Sequence, residues 1–133
     1  MSFLAKLNID GEEFVVLDCE YGITQGSNEN GMPSNKIRGG KIRVLIESTI
    51  KIDFMEWAIT NNATKNGEII FFKRDNVSSF KTLEFREAFC LELFEKFNAE
   101  DGQPLQTSLL ISAKEITIRG TTLTNNWPVR GAN

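Results

Sequence analysis

The chain has 133 residues, of which 41% are hydrophobic and 25% charged, and its formal net charge is −3. This is the balance of an ordinary soluble globular protein, large enough for one core of its own, and it argues against general nucleic-acid binding and against membrane insertion. There is no histidine, which removes the commonest general base and the commonest metal ligand.

Residues 1–133 are therefore read as one domain. The opening run from Met1 meets a charge at Lys6 before any apolar stretch of signal-peptide length, so the chain is expected to be made and folded in the cytoplasm. Phe3, Ala5, Leu7 and Ile9 alternate with mostly polar neighbours, the period of a half-buried strand. Asp10-Gly11 is a strong hairpin turn, and Phe14 to Ile23 returns as a second strand.

Thr24 to Gly40 is a polar excursion, longer than the roughly 12–15 residues beyond which structureless loops are uncommon and often functional. It carries Lys36 and Arg38, leads into Lys41 and Arg43, and is opposed only by Glu29; Met32-Pro33 is its expected apolar tip. Its glycines predict a mobile loop. Lys41 to Thr49 reads as a third strand, with Ile42, Val44 and Ile46 on one face.

Helical spacing occurs once. Within Asp53 to Asn61, Phe54, Trp57 and Ala58 fall at i, i+3 and i+4, with Asp53 able to cap the start. So short a helix must pack on a sheet to be stable. Glu68 to Lys73 is apolar on both faces, hence a central strand, and Arg74-Asp75-Asn76 turns the chain.

The following run, Phe80 to Phe97, is unusually long. Leu83, Phe85, Phe89, Leu91, Leu93 and Phe97 share one parity, and Cys90 and Phe94 enter the second face. Asn98 to Pro104 is a turn. In the last strand the apolar face passes from Leu105, Leu109, Ile111 and Ala113 to Ile116 and Ile118. Such a change predicts a bulge or bend of the kind found where a sheet curls toward a barrel. Residues 121–133 read as a polar, flexible tail. The expected core includes Phe14, Trp57, Phe71, Phe85, Phe89, Leu109 and Ile111.

Chemistry is hard to find. Gly26 to Gly31 has the glycine spacing of a phosphate loop, but Met32-Pro33 stands where Lys and Ser/Thr are required. Asn98, Glu100 and Asp101 before Gly102 lack the spaced ligands of a calcium loop. Cys19 and Cys90 are far apart on apolar strands and read as buried free thiols. Glu84 and Glu92 beside Arg86 read as a solvated strand face rather than an acid–base pair. No catalytic residue, metal site or cofactor is assigned, and an enzyme is not expected.

Several segments together resemble one family. They are SFLAKLNIDGEEF (Ser2 to Phe14), GGKIRVLIEST (Gly39 to Thr49), MEWAI (Met55 to Ile59) and GEIIFFKRD (Gly67 to Asp75), followed by LEFREAFC (Leu83 to Cys90), LLISAKEITI (Leu109 to Ile118) and NNW (Asn125 to Trp127). The pattern resembles the Hcp (TssD) tube proteins of type VI secretion systems, in a divergent form. The resemblance implies a mainly β fold, an Hcp-like barrel of two packed antiparallel sheets with one short flanking α-helix. It also implies homohexameric rings stacked into the inner tube of a contractile injector. The partners would be further copies of the chain, a VgrG-like spike, sheath and baseplate components and secreted effectors, with export by contraction rather than by a signal peptide.

Topology adds one expectation of its own. Asp10, Glu12 and Glu13 lie at one end of the second strand, and Lys36, Arg38, Lys41 and Arg43 lie beyond the other. Opposite charge at two ends favours head-to-tail stacking; scattered solvated charges near turns is the plainer alternative. Two other readings stay open: the tail tube of a phage or related injector, and a small intracellular barrel binding an apolar ligand. The tight turn at Asp10-Gly11 counts against the last, because such barrels place a helix pair there.

Overall fold

A computed structural model describes residues 4–48, 53–75, 78–102 and 105–127. The strands are β1 (Ala5–Ile9), β2 (Glu12–Tyr21), β3 (Thr24–Ser27), β4 (Pro33–Arg38), β5 (Lys41–Glu47), β6 (Lys65–Phe72), β7 (Ser79–Phe97), β8 (Leu105–Ile118) and β9 (Thr121–Thr124), with helix α1 (Met55–Ile59) between β5 and β6. The principal sheet runs β5-β2-β1-β6-β7-β8-β9, and β5 also pairs with β8. That last pairing closes six strands into a mainly β, antiparallel barrel; β3 and β4 form a separate hairpin.

The turn at Asp10-Gly11 has positive φ at both residues, 52° and 76°, which is what a two-residue type I′ hairpin requires. Arg119-Gly120 repeats the geometry, with φ of 50° and 82°, and returns the chain as β9 along β8. The start of the expected tail is thus a strand. Arginine is not a usual residue for that position, which hid the turn. Positions 128–133 of the tail, Thr49, Asn76 and the Gln103-Pro104 end of the expected turn lie outside the described residues.

The excursion from Thr24 to Gly40 is not a structureless loop. Thr24 pairs with Arg38 and Ser27 with Pro33. Asn28 builds the tip: its side-chain oxygen accepts from the backbone N–H groups of Asn30 (2.9 Å) and Met32 (3.1 Å), and its own N–H donates to the Met32 carbonyl. An asparagine that satisfies neighbouring backbone donors makes a turn without help from packing, so polar composition here encodes a hairpin. Its base is fastened by Asn125, whose amide donates to the carbonyls of Gly39 (3.1 Å) and Ala113 (3.0 Å). Gly40, at φ 96°, sits so close to Ala113 that a Cβ would fall 2.6 Å from that carbonyl oxygen.

Leu7, Phe14, Ile42, Val44, Ile46, Ile69, Leu83, Phe85, Leu109 and Ile111 fill the barrel with almost no exposure. Phe71 is partly buried against this core. Phe89 is not in it. At Glu87, with φ 51° and its N–H held by the Asn66 side chain at 2.8 Å, β7 changes face: Leu83 and Phe85 are buried before it, Ala88 and Cys90 after it. β8 changes face directly opposite, between Ala113 and Ile116, with the pairing register intact. A bend resets the alternation that assigned Phe89 to the interior, and Phe89 instead packs outside against Trp127, ring centroids 5.4 Å apart.

The helix closes the barrel end nearest the Asp10-Gly11 turn. Asp53 accepts from the Met55 N–H at 3.0 Å. Phe54 stacks on Phe14 at 5.4 Å; Trp57, 3% exposed, donates its indole N–H to the Ala88 carbonyl at 3.1 Å. Lys65 lies over the Trp57 ring and pairs with Asp10, joining turn, helix and β6. Replacing Trp57 by Ala should cost about 3–5 kcal/mol, the range for an aromatic core truncation. Trp57→Phe should cost less, mainly the lost hydrogen bond of about 1–3 kcal/mol at a buried carbonyl. Urea unfolding of both variants measures the difference, and a Trp57→Phe chain as stable as the wild type would show that the indole bond contributes nothing.

Candidate assembly surfaces

Beyond the bend, β7 leaves the barrel. Its first half pairs with β6 as far as Ala88, opposite Lys65, while Phe89 to Phe97 pair only with β8. The outer edge of that second half has no strand partner among the described residues. β2 behaves alike at the far side: its edge pairs with β1 up to Val15, opposite Lys6, and beyond that residue the edge has no partner among the described residues. Between these edges lies a strip of four strands, β7-β8-β5-β2. Open edges of this kind are ready templates for pairing with another chain.

One face of the strip covers the core; the other, apart from Trp127 against Phe89, is bare among the described residues. Matched registers place Phe89, Ser112 and Lys41 in one row of the bare face. Glu92, Leu110, Arg43 and Glu20 form the next, and Phe94, Ser108, Leu45 and Asp18 the third. Arg43 reaches across to Glu92 at 3.2 Å, so it belongs to this face and not to the hairpin end. Phe94 is 62% exposed and Leu91, at the register shift, is exposed as well. Of the two residues that enter the second face of β7 in the sequence, Phe94 marks this surface, whereas Cys90 is buried on the core side.

The remaining sequence-derived residues divide between two ends of β2, separated by its ten residues, or roughly 33 Å. Met32, Pro33, Lys36, Arg38 and Lys41 are all exposed, and the three cations form no ion pair among the described residues. At the other end the acids are partly spent within the chain. Asp10 pairs with Lys65 and Glu13 with Lys6 at 3.1 Å, leaving Glu12 as the acid there without an ion pair among the described residues. The two ends are brought apart as expected from the topology, but the contrast in charge is weaker than composition implies.

Arg86 bonds Glu115 at 3.0 Å and Glu84 at 3.4 Å and donates to Thr117 at 2.6 Å. The hydrogen bond to Glu115 raises the guanidinium pKa further above its already basic value, so this cluster is a fixed ion-pair ladder across two strands. Glu92 belongs to Arg43 instead. No group of three or more Cys, Asp or Glu side chains suited to a metal ion occurs among the described residues, and none of their helices is long and apolar enough to cross a membrane.

A closed β-barrel that carries a bare, two-edged strand strip and a projecting hairpin is the fold of injector tube proteins. Solved structures with this fold include Hcp1 from Flavobacterium johnsoniae, 34% identical, with 92% of this chain and 100% of that chain covered and a TM-score of 0.85. Hcp1 from Salmonella typhimurium is 14% identical, with 93% of each chain covered and a TM-score of 0.69. A chain in the sheath–tube complex of an extracellular contractile injection system is 16% identical over 88% of both chains, at a TM-score of 0.56. No curated protein sequence matches. The family profile described as hemolysin coregulated protein Hcp (TssD) matches residues 1–128, and the chain belongs to this family of type VI secretion tube proteins.

Cys19 and Cys90 are free thiols placed on the two edge strands, β2 and β7. Burial, reinforced by the neighbouring Asp18 charge, pushes the Cys19 pKa up to about 11. Burial also raises that of Cys90. Because the thiolate is the reactive form, about one Cys19 in a thousand is reactive at pH 8. Alkylation of the native chain should therefore be slow and should rise about tenfold per pH unit up to roughly pH 11. Mass spectrometry of iodoacetamide-treated protein measures this; rapid modification of Cys19 at pH 8 would contradict it.

Proposed function

We propose that the chain is the structural subunit of a type VI secretion tube, closing into hexameric rings through the two edges of the β7-β8-β5-β2 strip and stacking ring upon ring. The observation that carries this reading is strand direction. All pairings within the strip are antiparallel, and four alternating strands leave β7 and β2 running in opposite directions. A copy rotated about an axis along the strands therefore presents β7 antiparallel to its neighbour's β2. Each copy donates one edge and accepts at the other, a heterologous contact that a rotation can close into a ring.

Bulk decides which face points inward. The rest of the barrel and α1 lie on the core side of the strip, and that greater volume needs the larger radius. The bare face, with Phe94, Leu110, Leu45, Ser108 and the Arg43–Glu92 pair, then lines the lumen. Six strips make about 24 strands, which at about 4.8 Å apart give a circumference of roughly 115 Å and an opening of roughly 35–40 Å. An opening of that size admits a small folded effector. The hairpin tip at Met32-Pro33, with Lys36, Arg38 and Lys41, projects from one end of the strip toward the Asp10, Glu12 and Glu13 end of the next ring. Further partners are the spike at the tube's tip, the sheath around it and the baseplate beneath. The subunit would be cytoplasmic until assembly and leave the cell when the sheath contracts. The side chains that fill the barrel work against a ligand-binding role.

Purified protein should run at about 90 kDa by light scattering, six times the 15.0 kDa chain, with rings in negative stain. A stable monomer at micromolar concentration would refute the ring. Lys36→Glu with Arg38→Glu should shorten tubes while leaving rings intact, an effect that added salt should mimic. Individual exposed pairs are worth only about 0–1 kcal/mol, but each is repeated around the ring. Normal tube growth by this variant at low salt would remove the hairpin from stacking.

A further inference from the structure

The overhanging part of β7 and β8 also carries hydrophobic side chains on its core-facing side, beyond the point where the barrel covers them. Leu93 and Leu109 form a matched pair and are still part of the packing. Four residues further out, Phe97 pairs with Leu105, and these are 68% and 43% exposed. Near them are three exposed acids, Glu95, Glu100 and Asp101. This is an apolar knob with an anionic collar.

A hole of matching character lies on the opposite flank. Where β1 begins, β2 and β6 part, and a crevice of about 580 Å³ opens between them, lined by Leu4, Val16, Leu17, Phe71, Phe72 and Phe80. Lys73, Arg74 and Lys81 contribute to the same crevice; Lys81 is oriented by a hydrogen bond to the Tyr21 hydroxyl at 3.4 Å.

We infer that each copy seats the Phe97–Leu105 knob of its overhanging ribbon in the Leu4–Leu17–Phe72 crevice of the next copy, with the acidic collar against the Lys73 and Lys81 rim. The inference rests on the ring reading and names the contact that would anchor it. Polarity brings the parts together. β1 pairs antiparallel with β2, and an incoming β7 antiparallel to β2 runs in the same direction as β1, above it along the same edge. Its last residue, Phe97, therefore arrives where β1 begins, which is the mouth of the crevice. Because the knob and the Val16 and Tyr21 lining both lie on the core-facing side of the sheet, edge pairing points one into the other. Opposite charge on collar and rim favours this partner over a copy presented in reverse.

Phe97 is exposed, so Phe97→Ser should fold normally by circular dichroism and should raise the concentration at which rings form by at least tenfold. Lys73→Glu with Lys81→Glu should weaken ring formation at low salt, and adding Glu100→Lys with Asp101→Lys should restore it. Because Cys19 also lines the crevice, the cross-link is made in a Cys19→Ser, Cys90→Ser background: there a Leu17→Cys, Phe97→Cys chain, oxidised and run without reductant, should give a covalent ladder from dimer to hexamer that neither single variant gives. Rings that form at wild-type concentration in all these variants, with no ladder, would overturn this contact and leave the ring standing. A wild-type chain that never forms rings would overturn the ring itself and the knob with it.

Discussion

The pairing of β5 with β8 is the constraint on which the rest depends. It is made seven residues deep, from Lys41 opposite Ser112 to Glu47 opposite Gln106, and it turns an open sheet into a barrel. Closure removes edges, which is the usual benefit of a barrel. It also brings the buried rows of β5 and β8, Ile42 with Ile111 and Val44 with Leu109, against Leu7, Phe14 and Phe85 across the interior. The long-range order of the chain follows from this one seam, because β5 meets β8 only if the sheet strands between them, β2, β1, β6 and β7, wrap completely around the core.

What closure gives, the bend at Glu87 partly takes back. A 19-residue strand spans roughly 63 Å, far more than the barrel can pair. By changing face at Glu87, with β8 following opposite, the ribbon carries half its length away from β6. The glutamate at φ 51° is a conformation that non-glycine residues seldom adopt, and the Asn66 side chain that holds its N–H replaces a ladder bond. Local strain is tolerated where the surrounding pairing over-determines it, and what it produces here is the open edge of β7 beyond Ala88.

Much of this was legible in the residues. Alternation located β1, β2, β5 and β8, and three residues at helical spacing located α1. Asp10-Gly11 named its turn. Besides the Arg119-Gly120 turn, three things were not legible, each for a local reason. The β3–β4 hairpin lacks hydrophobic alternation because it projects from the core, and its tip is organised by one asparagine, Asn28. Phe89 fits the parity of its strand, but the parity is interrupted by a backbone angle that no composition rule assigns to glutamate. The acids at the Asp10 turn look free in sequence, whereas Lys65 and Lys6 come from 55 and 7 residues away to meet Asp10 and Glu13. Of the candidate surfaces, the hairpin charges could be read directly. The ribbon and crevice could not, since both are defined by where neighbouring strands stop.

In the proposed ring, nothing in the hydrogen-bonding pattern counts to six. A donor edge and an acceptor edge of compatible direction would pair equally well in a closed circle, a larger circle or an endless helical ribbon. The number must reside in an angle, the turn of about 60° by which each strip is held relative to the next. That angle is inherited from the curvature of the strip, and the curvature from its irregularities: the register shift beside Leu17 in β2 and the shift between Cys90 and Glu92 in β7. Bulges raise local twist, so in the proposed ring these two would act as the protractor of the assembly. Straightening either one would leave the affinity between neighbours largely intact and alter the circumference they enclose.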